Sequence, residues 1–224
     1  MSIESTVVLQ KGQTAILETN KLIRNTYMLL SLTLLFSALM AGVAMITNMP
    51  PFHWLLTLVG YIGLLLLTSF LRNSVWGLVS VFAFTGFMGL TLGPMLNLYI
   101  QAFANGAQLV TMAFGTTAVL FFGLSGYALT TRKNFNFLGA FLFTGILVMF
   151  VASIANIFFA IPALSLAISA VMVFLMSGYI LYDTSRMVHG DENNYIMATV
   201  NLYVDIYLLF VHLLNLFAAF FGEN

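Results

Sequence analysis

The sequence predicts an all-α membrane protein in which seven helices cross the bilayer. Of its 224 residues, 61% are hydrophobic and 6% are charged, and a soluble domain of this size could not carry that composition on its surface. Seven apolar runs are each long enough for a bilayer core of about 30 Å, which needs about 20 residues per helix. All seven basic residues precede the first run or lie near the end of an even-numbered one, as expected for an odd number of spans starting in the cytoplasm.

The predicted spans follow one another with short connections. Their boundaries are 26–46, 53–71, 75–98, 108–130, 137–159, 162–188 and 194–221. The joint between the fifth and sixth spans rests on Pro162 alone, since proline interrupts a helix. We therefore divide the chain into an N-terminal tail over residues 1–24 and a seven-helix domain over residues 25–224.

The basic residues also orient the chain. Lys11, Lys21 and Arg24 lie before the first span, and the positive-inside rule places that side in the cytoplasm. We expect a cytoplasmic N-terminus and, after seven spans, a C-terminus outside. For residues 14–25 the sequence allows two interpretations, which are a helix that touches the lipid headgroups and a mobile segment.

Two spans carry closely spaced glycines, which allow helix backbones to approach one another. We predict close packing for both sets, which are Gly86, Gly89 and Gly93 in span three and Gly115, Gly123 and Gly126 in span four.

Asp183 and Asp205 are the two carboxylates that fall within or at the edge of long apolar runs. An ionised carboxylate at that depth costs several kcal/mol unless it is paired or hydrated, so such residues are candidates for function. The neighbouring loop residues His189, Asp191 and Glu192 are most simply interpreted as solvated.

Span seven carries a polar stripe. Its members, at separations of four, seven and three residues, form a stripe about 80° wide on a helix, and they are Asn201, Asp205, His212 and Asn215. Such a stripe must face protein or water rather than lipid, so we predict that span seven is the central helix, wrapped by the other six. His212 is interpreted as a hydrogen-bonded structural residue.

Span six carries a matching polar face of Ser165, Ser169, Tyr179 and Asp183. Consecutive spans are antiparallel, so two facing stripes would bring Asp183 and Asp205 together. This requires span six to continue one turn past Asp183, toward His189.

Several chemistries are excluded or disfavoured. No lysine lies within a span to form a retinal Schiff base, and Cys is absent, which removes disulfides, thiol nucleophiles and Cys-ligated metals. Motifs for zinc, serine or nucleotide enzymes are missing, and the Leu202-Tyr203-Val204-Asp205 context differs from the Gly-x-Gly-Asp turn of intramembrane aspartyl proteases. The seven basic and seven acidic residues balance, which does not favour a nucleic-acid partner. We expect no enzymatic activity, no cofactor and no firm metal site.

The motifs of the C-terminal half resemble the Bax inhibitor-1 family of membrane proteins. The resemblance is carried by Gly178 to Thr184 (GYILYDT), Asn194-Tyr195-Ile196 and Leu202 to Ile206 (LYVDI). Further stretches resemble the bacterial inner-membrane branch of that family, namely Leu22 to Phe36, Phe82 to Pro94, Leu129 to Lys133 and Ala155 to Ala170.

This resemblance implies two roles. The first is a pH-sensitive leak for calcium or another cation, with Asp183 and Asp205 as the sensor and with calcium as the transported ion rather than a cofactor. In such relatives an arginine near the cytoplasmic end of the second helix is the alternative partner of the first aspartate; Arg72 is at that depth, and Arg186 competes with it. The second role is modulation of the membrane-anchored AAA protease FtsH through the N-terminal tail.

Overall fold

The computed structural model describes the backbone of residues 3–223 and the side chains of residues 17–223, and this part of the chain is helical with no strand. Its elements are α1 (Ile3–Ile46), α2 (Trp54–Leu71), α3 (Trp76–Ala102), α4 (Gly106–Thr131), a 3₁₀ turn (Asn136–Leu138), α5 (Gly139–Phe159), α6 (Pro162–His189) and α7 (Tyr195–Phe221). Each of the seven α-helices described is long and apolar enough to cross a membrane. The predicted seven-helix fold is therefore confirmed.

Helix α1 extends well beyond the first predicted span. It is 44 residues long, or about 66 Å at 1.5 Å per residue, and it passes without a break through residue 25. Residues 14–25 belong to this helix. Of the two interpretations that the sequence allows, a helix and a mobile segment, the structure shows the helix. Residues 1 and 2 of the predicted tail lie outside the described residues.

Helix α7 is the central helix, as predicted. It packs directly against α1, α3, α4 and α6, whereas α2 lies on α3 and α5 lies on α6. Tyr203, Leu209 and Leu214 of α7 are fully buried. By contrast, α2 and α5 each bury a single residue, Thr68 and Leu142. The helices that surround α7 thus form an inner group of four and an outer pair.

The two glycine sets behave differently. A Cβ added at Gly89 would lie 2.3 Å from the carbonyl oxygen of Ser37, and one at Gly93 would lie 2.6 Å from that of Ala41, so α3 meets the backbone of α1. The prediction of close packing is wrong for span four: no atom lies within 4 Å of a Cβ built at its three glycines, which are Gly115, Gly123 and Gly126. Glycine spacing does not reveal which side of a helix finds a partner.

The N-terminal end of α7 is held by Asn194. Its side-chain oxygen accepts hydrogen bonds from the backbone N–H groups of Ile196 and Met197, capping the helix. Its Nδ2 group donates to the backbone oxygen of Arg72 at 3.1 Å and to Oδ1 of Asn73 at 2.9 Å. One side chain therefore caps α7 and ties it to the loop between α2 and α3.

The C-terminal end of α7 is held in a similar way by the loop between α3 and α4. Asn105 donates from Nδ2 to the backbone oxygen of Phe221 at 2.8 Å and accepts from the N–H of Glu223 at 3.1 Å. The N–H of Ala104 donates to the backbone oxygen of Glu223 at 2.8 Å. Both ends of the central helix are thus fixed to loops of the inner helices.

The end of α6 is fixed to the loop between α4 and α5. The Ser185 hydroxyl accepts from the N–H of Phe135 at 3.0 Å and donates to the backbone oxygen of Lys133 at 3.2 Å. Asn136 donates from Nδ2 to the carboxylate of Asp191. The loops that carry Arg72, Arg132 and Lys133 therefore gather at one end of the bundle with Arg186, which lies in the last turn of α6.

Candidate functional site

Helix α6 places Asp183 near the end of the bundle where the basic residues lie. The helix continues beyond it to His189 and stops at Gly190, whose backbone is left-handed with φ of 78°. Gly190 donates its N–H to the backbone oxygen of Arg186, which closes the last turn as glycine caps do. Asp183 is thus set inside the helix rather than in the loop, and its side chain is only 8% exposed.

Helix α7 brings Asp205 against Asp183. Asp205 is 4% exposed, and its carboxyl group is close enough to that of Asp183 for the two to interact directly. A carboxylate can only accept hydrogen bonds, so a bond between two carboxyl groups needs a proton on one of them. A proton on either carboxyl group would therefore join α6 and α7 at this contact.

One oxygen of the pair has no protein partner. Oδ2 of Asp205 is buried and finds no hydrogen bond among the residues that the structure describes. An unsatisfied buried oxygen costs about 1–3 kcal/mol, and more when it is charged. The site therefore leaves a buried acceptor on Asp205 without a donor from the described residues.

Arg186 is the cation that faces Asp183. Its guanidinium lies 3.7 Å from Oδ1 of Asp183 and 3.7 Å from Oε2 of Glu192, and it lies over the ring of Tyr182 with 5.6 Å to the centroid. Both distances are longer than the usual charge-assisted hydrogen bond of about 2.7–2.9 Å. The guanidinium is shared between the two acids and is not fully engaged by either.

Arg72, the other predicted partner, is not brought to Asp183. Its side chain is exposed and forms no ion pair within the described part of the chain. Its contribution to this end of the bundle is its backbone oxygen, which accepts from Asn194. Of the two arginines that the sequence left open, the structure pairs Asp183 with Arg186.

The prediction that the Glu192 side chain is solvated is wrong. This side chain is half-buried, with its Oε1 accepting from the backbone N–H groups of Asn193 and Asn194 at 3.0 and 2.9 Å and its Oε2 facing Arg186. The sequence does contain a signal: a glycine directly after a helix lets the chain reverse over the last turn, which returns Glu192 to Arg186.

The other two residues predicted to be solvated, His189 at the end of α6 and Asp191 in the loop, are exposed but make specific contacts. His189 Nδ1 lies 2.9 Å from the backbone oxygen of Ser185, and Asp191 accepts from Asn136. Both contacts hold the loop that carries Glu192.

The polar stripe of α7 separates into two sites. His212 Nδ1 lies 3.1 Å from the Ser169 hydroxyl on α6, and Asn215 donates to the same hydroxyl at 2.8 Å. These residues lie two or more turns from Asp205, toward the other end of the bundle. Asn201 is half-buried on the inner side, and its side chain forms no hydrogen bond with other described residues.

Within residues 17–223, no group of three His, Asp or Glu side chains is placed to hold an ion. The site contains a buried carboxyl pair, a shared arginine and a third acid, Glu192, beyond the end of α6. This set can hold, release and exchange a proton or admit a cation.

Comparison with known proteins places the chain in a family. Residues 19–222 match the model of the family described as inhibitor of apoptosis-promoting Bax1. An uncharacterized protein of Pseudomonas aeruginosa is 51% identical over 207 residues, covering 92% of this chain and 93% of the relative. A protein of Escherichia coli K12, named modulator of FtsH protease YccA, is 50% identical over 204 residues, covering 91% and 92%. An uncharacterized Pasteurella multocida protein is 45% identical over 205 residues, covering 92% of each chain.

Proposed function

Because the chain belongs to the Bax inhibitor-1 family of membrane proteins, we propose that it modulates a membrane-anchored protease of the FtsH type by binding it in a bacterial inner membrane. The observation that carries the proposal is the similarity to the Escherichia coli relative, which is 50% identical over 91% of this chain and is named for that role. A relative from Escherichia coli O6:H1, also 50% identical over 204 residues, is named inner membrane protein YccA. The proposed role needs no catalytic residue.

Helix α1 supports this proposal because it offers a surface outside the bilayer. Its apolar stretch begins at Leu17, whereas the helix itself begins at Ile3. The 14 residues from Ile3 to Ile16 extend about 21 Å at the helical rise, and by the positive-inside rule they lie in the cytoplasm. A protease whose active domain hangs below the membrane could be reached by this segment.

Deletion of residues 1–16 tests the proposal. In cells that overproduce the full-length chain, we expect slower turnover of a membrane substrate of the FtsH protease, and we expect the truncated chain to leave turnover unchanged. The truncation retains the whole stretch from Leu17, so its helical content by circular dichroism and its elution as a monodisperse species serve as controls. Equal slowing by the truncated chain would exclude this segment from the mechanism.

We also propose, as a second function, a cation leak that opens as pH rises. The observation that favours it is the contact between the carboxyl groups of Asp183 and Asp205. When the shared proton leaves, two negative charges about 4 Å apart repel by about 4 kcal/mol at an effective dielectric constant of about 20. That energy is enough to shift a two-state contact between α6 and α7.

Arg186 is an alternative partner for the Asp183 carboxylate. Its guanidinium already lies 3.7 Å away, so a charged Asp183 can turn toward it and leave Asp205. Glu192 lies behind the same arginine, and the separated acids would leave an oxygen-rich mouth. Such ligands suit a hard cation such as calcium.

Calcium flux into dye-loaded liposomes, from acidic to alkaline pH, tests the leak. We expect wild-type flux to be low in acid and to rise with pH as the shared proton is lost. Asp205→Asn keeps a hydrogen-bond donor but removes the titrating proton, so its flux should no longer depend on pH. Asp183→Ala removes the contact and should raise flux in acid.

Asp191→Asn is the matched control, because this carboxylate lies in the adjacent loop and contacts Asn136 instead of the pair. It should retain the wild-type pH profile. A wild-type profile in Asp205→Asn, or flux that rises on acidification without dependence on either aspartate, would refute the leak mechanism and leave protease modulation standing.

A further inference from the structure

A cavity lined by both apolar and polar side chains lies toward the end of the bundle opposite the carboxyl pair. Its volume is about 460 Å³, and its walls come from α3, α5, α6 and α7. The residues used below are Ser153, Asn156, Ile157, Ser169, His212 and Asn215, all of which line it. We call it the outer cavity. Its volume falls within the range of about 300–1,000 Å³ that ligand sites occupy.

The outer cavity is separate from the carboxyl pair. His212 is seven positions after Asp205 on α7, which is about 10 Å along the helix, and Asp183 is 14 positions after Ser169 on α6, which is about 21 Å. The hydroxyl of Ser169 nevertheless lies well inside the bundle, since it is 2% exposed. A polar group buried at this depth has to be hydrogen-bonded. The Ser169 hydroxyl is one of the polar groups that line the cavity.

The hydrogen bonds inside the cavity leave at least two side-chain donors for a ligand. Ser169 Oγ accepts from Asn215, so its own hydrogen is available to His212 Nδ1 at 3.1 Å. With Ser169 as the donor in this contact, the ring hydrogen of His212 is on Nε2, which has no hydrogen-bond partner among the described residues. Oδ1 of Asn156 accepts from the N–H of Ile161 at 3.1 Å, which leaves the Asn156 Nδ2 group as a second donor.

The described lining of the cavity contains no acidic side chain and no lysine or arginine. Burying a charged group without a counter-charge costs several kcal/mol, whereas a neutral oxygen that accepts two hydrogen bonds is satisfied by the donors present. The chemistry of the lining therefore selects an uncharged head group with acceptor oxygens.

The mouth of the cavity faces lipid. Ile157 on its wall is 72% exposed, and its neighbours on α5, Ile154 and Phe158, are 42% and 80% exposed. These side chains belong to the apolar surface of a membrane-spanning helix. Helix α5 packs mainly on α6, and α3 packs on other helices, which leaves the space between α3 and α5 as the opening.

We propose that the outer cavity binds an uncharged amphiphile from the bilayer. Its head, with ester or hydroxyl oxygens, accepts hydrogen bonds from His212 and Asn156, and its hydrocarbon tail leaves between α3 and α5 into the lipid. A charged phospholipid head would be excluded by desolvation.

Native mass spectrometry of the full-length protein, released from detergent, tests this with two probes that differ by one group. Monooleoylglycerol carries a neutral glycerol ester, and oleoyl lysophosphatidic acid carries the same chain and glycerol with a phosphate. We expect saturable binding of one monooleoylglycerol per chain and binding of the phosphate-bearing probe that is weaker by about tenfold or more.

Two variants on different helices locate the binding. Ser169→Ala removes the hydroxyl that orients His212 and Asn215, and should weaken binding about fivefold, as expected for one neutral hydrogen bond. Ser153→Phe fills the cavity from α5 without touching that network, and should abolish binding. Thr144→Ala is the matched control, since this exposed α5 hydroxyl donates to the backbone oxygen of Ala140 outside the cavity; it should bind as wild type does.

Equal affinity for the two probes would overturn the proposed selectivity and with it the uncharged ligand. Wild-type binding by Ser153→Phe would place any bound probe outside the cavity, and so would refute the site even if Ser169→Ala failed to fold. Absence of saturable binding of monooleoylglycerol to the wild-type chain would refute the proposal outright.

Discussion

Gly89 on α3 is the position where one methyl group should cost the most stability. A Cβ at Gly89 would lie 2.3 Å from the carbonyl oxygen of Ser37, 3.0 Å from its carbonyl carbon and 3.1 Å from Cβ of Met40. Real Cβ atoms do not approach backbone atoms so closely, and a backbone cannot rotate away as a long side chain can. Gly89→Ala must therefore push α1 and α3 apart.

The magnitude follows from three contributions. Overpacking costs about 1–3 kcal/mol, and alanine regains about 0.5–1 kcal/mol of helix propensity. Ser37 also shares a hydrogen bond of 2.6 Å with the buried Tyr203 of α7, and stretching it would cost about 0.5–1.5 kcal/mol. We expect Gly89→Ala to lower the free energy of unfolding by about 2 kcal/mol.

Unfolding of the purified protein in mixed micelles, followed by circular dichroism, measures this difference. Gly123→Ala is the matched control, since nothing lies within 4 Å of a Cβ built there; it should be neutral or stabilising by up to about 1 kcal/mol. If both variants were equally stable, the close approach of α1 and α3 would not be a feature of the folded protein.

Two further predictions concern topology and the cap of α7. Reporter fusions should place the N-terminus and the loop near Arg132 in the cytoplasm and the C-terminus outside, because the basic loops gather at one end; a cytoplasmic C-terminus would contradict seven full spans. Asn194→Ala removes the cap of α7 and its tie to the loop at Arg72, and should destabilise the protein by about 1–2 kcal/mol in the same unfolding assay. Asn193→Ala, at an exposed neighbour, should have little effect, and equal losses would argue against the cap.

The spans could be predicted from sequence because bilayer thickness fixes the length of an apolar helix. The stripe containing Asp205 and His212 also indicated the central helix, since polar groups on such a helix must turn inward. Both inferences depend on the lipid around the protein. Lipid requires an apolar surface of fixed length and disfavours polar side chains, whichever helices happen to be neighbours.

Features that depend on neighbouring helices could not be predicted in this way. Gly89 and Gly123 have similar sequence contexts, yet only Gly89 meets another backbone. Glu192 is half-buried because the chain reverses at Gly190, and the outer cavity exists because α3 and α5 stay apart. Each of these features depends on how whole helices pack together. A local sequence pattern contains no information about that packing.

The two attachments of α7 have a mechanical consequence. Asn194 fixes one end to the loop between α2 and α3, and Asn105 fixes the other to the loop between α3 and α4, so this helix acts as a stationary axis that cannot slide along its length. Helix α6 packs against this axis and carries Asp183 toward one end and Ser169, on the wall of the outer cavity, toward the other. A molecule bound in the cavity contacts both α6 and α7, so it should oppose separation of these two helices and therefore of the carboxyl pair.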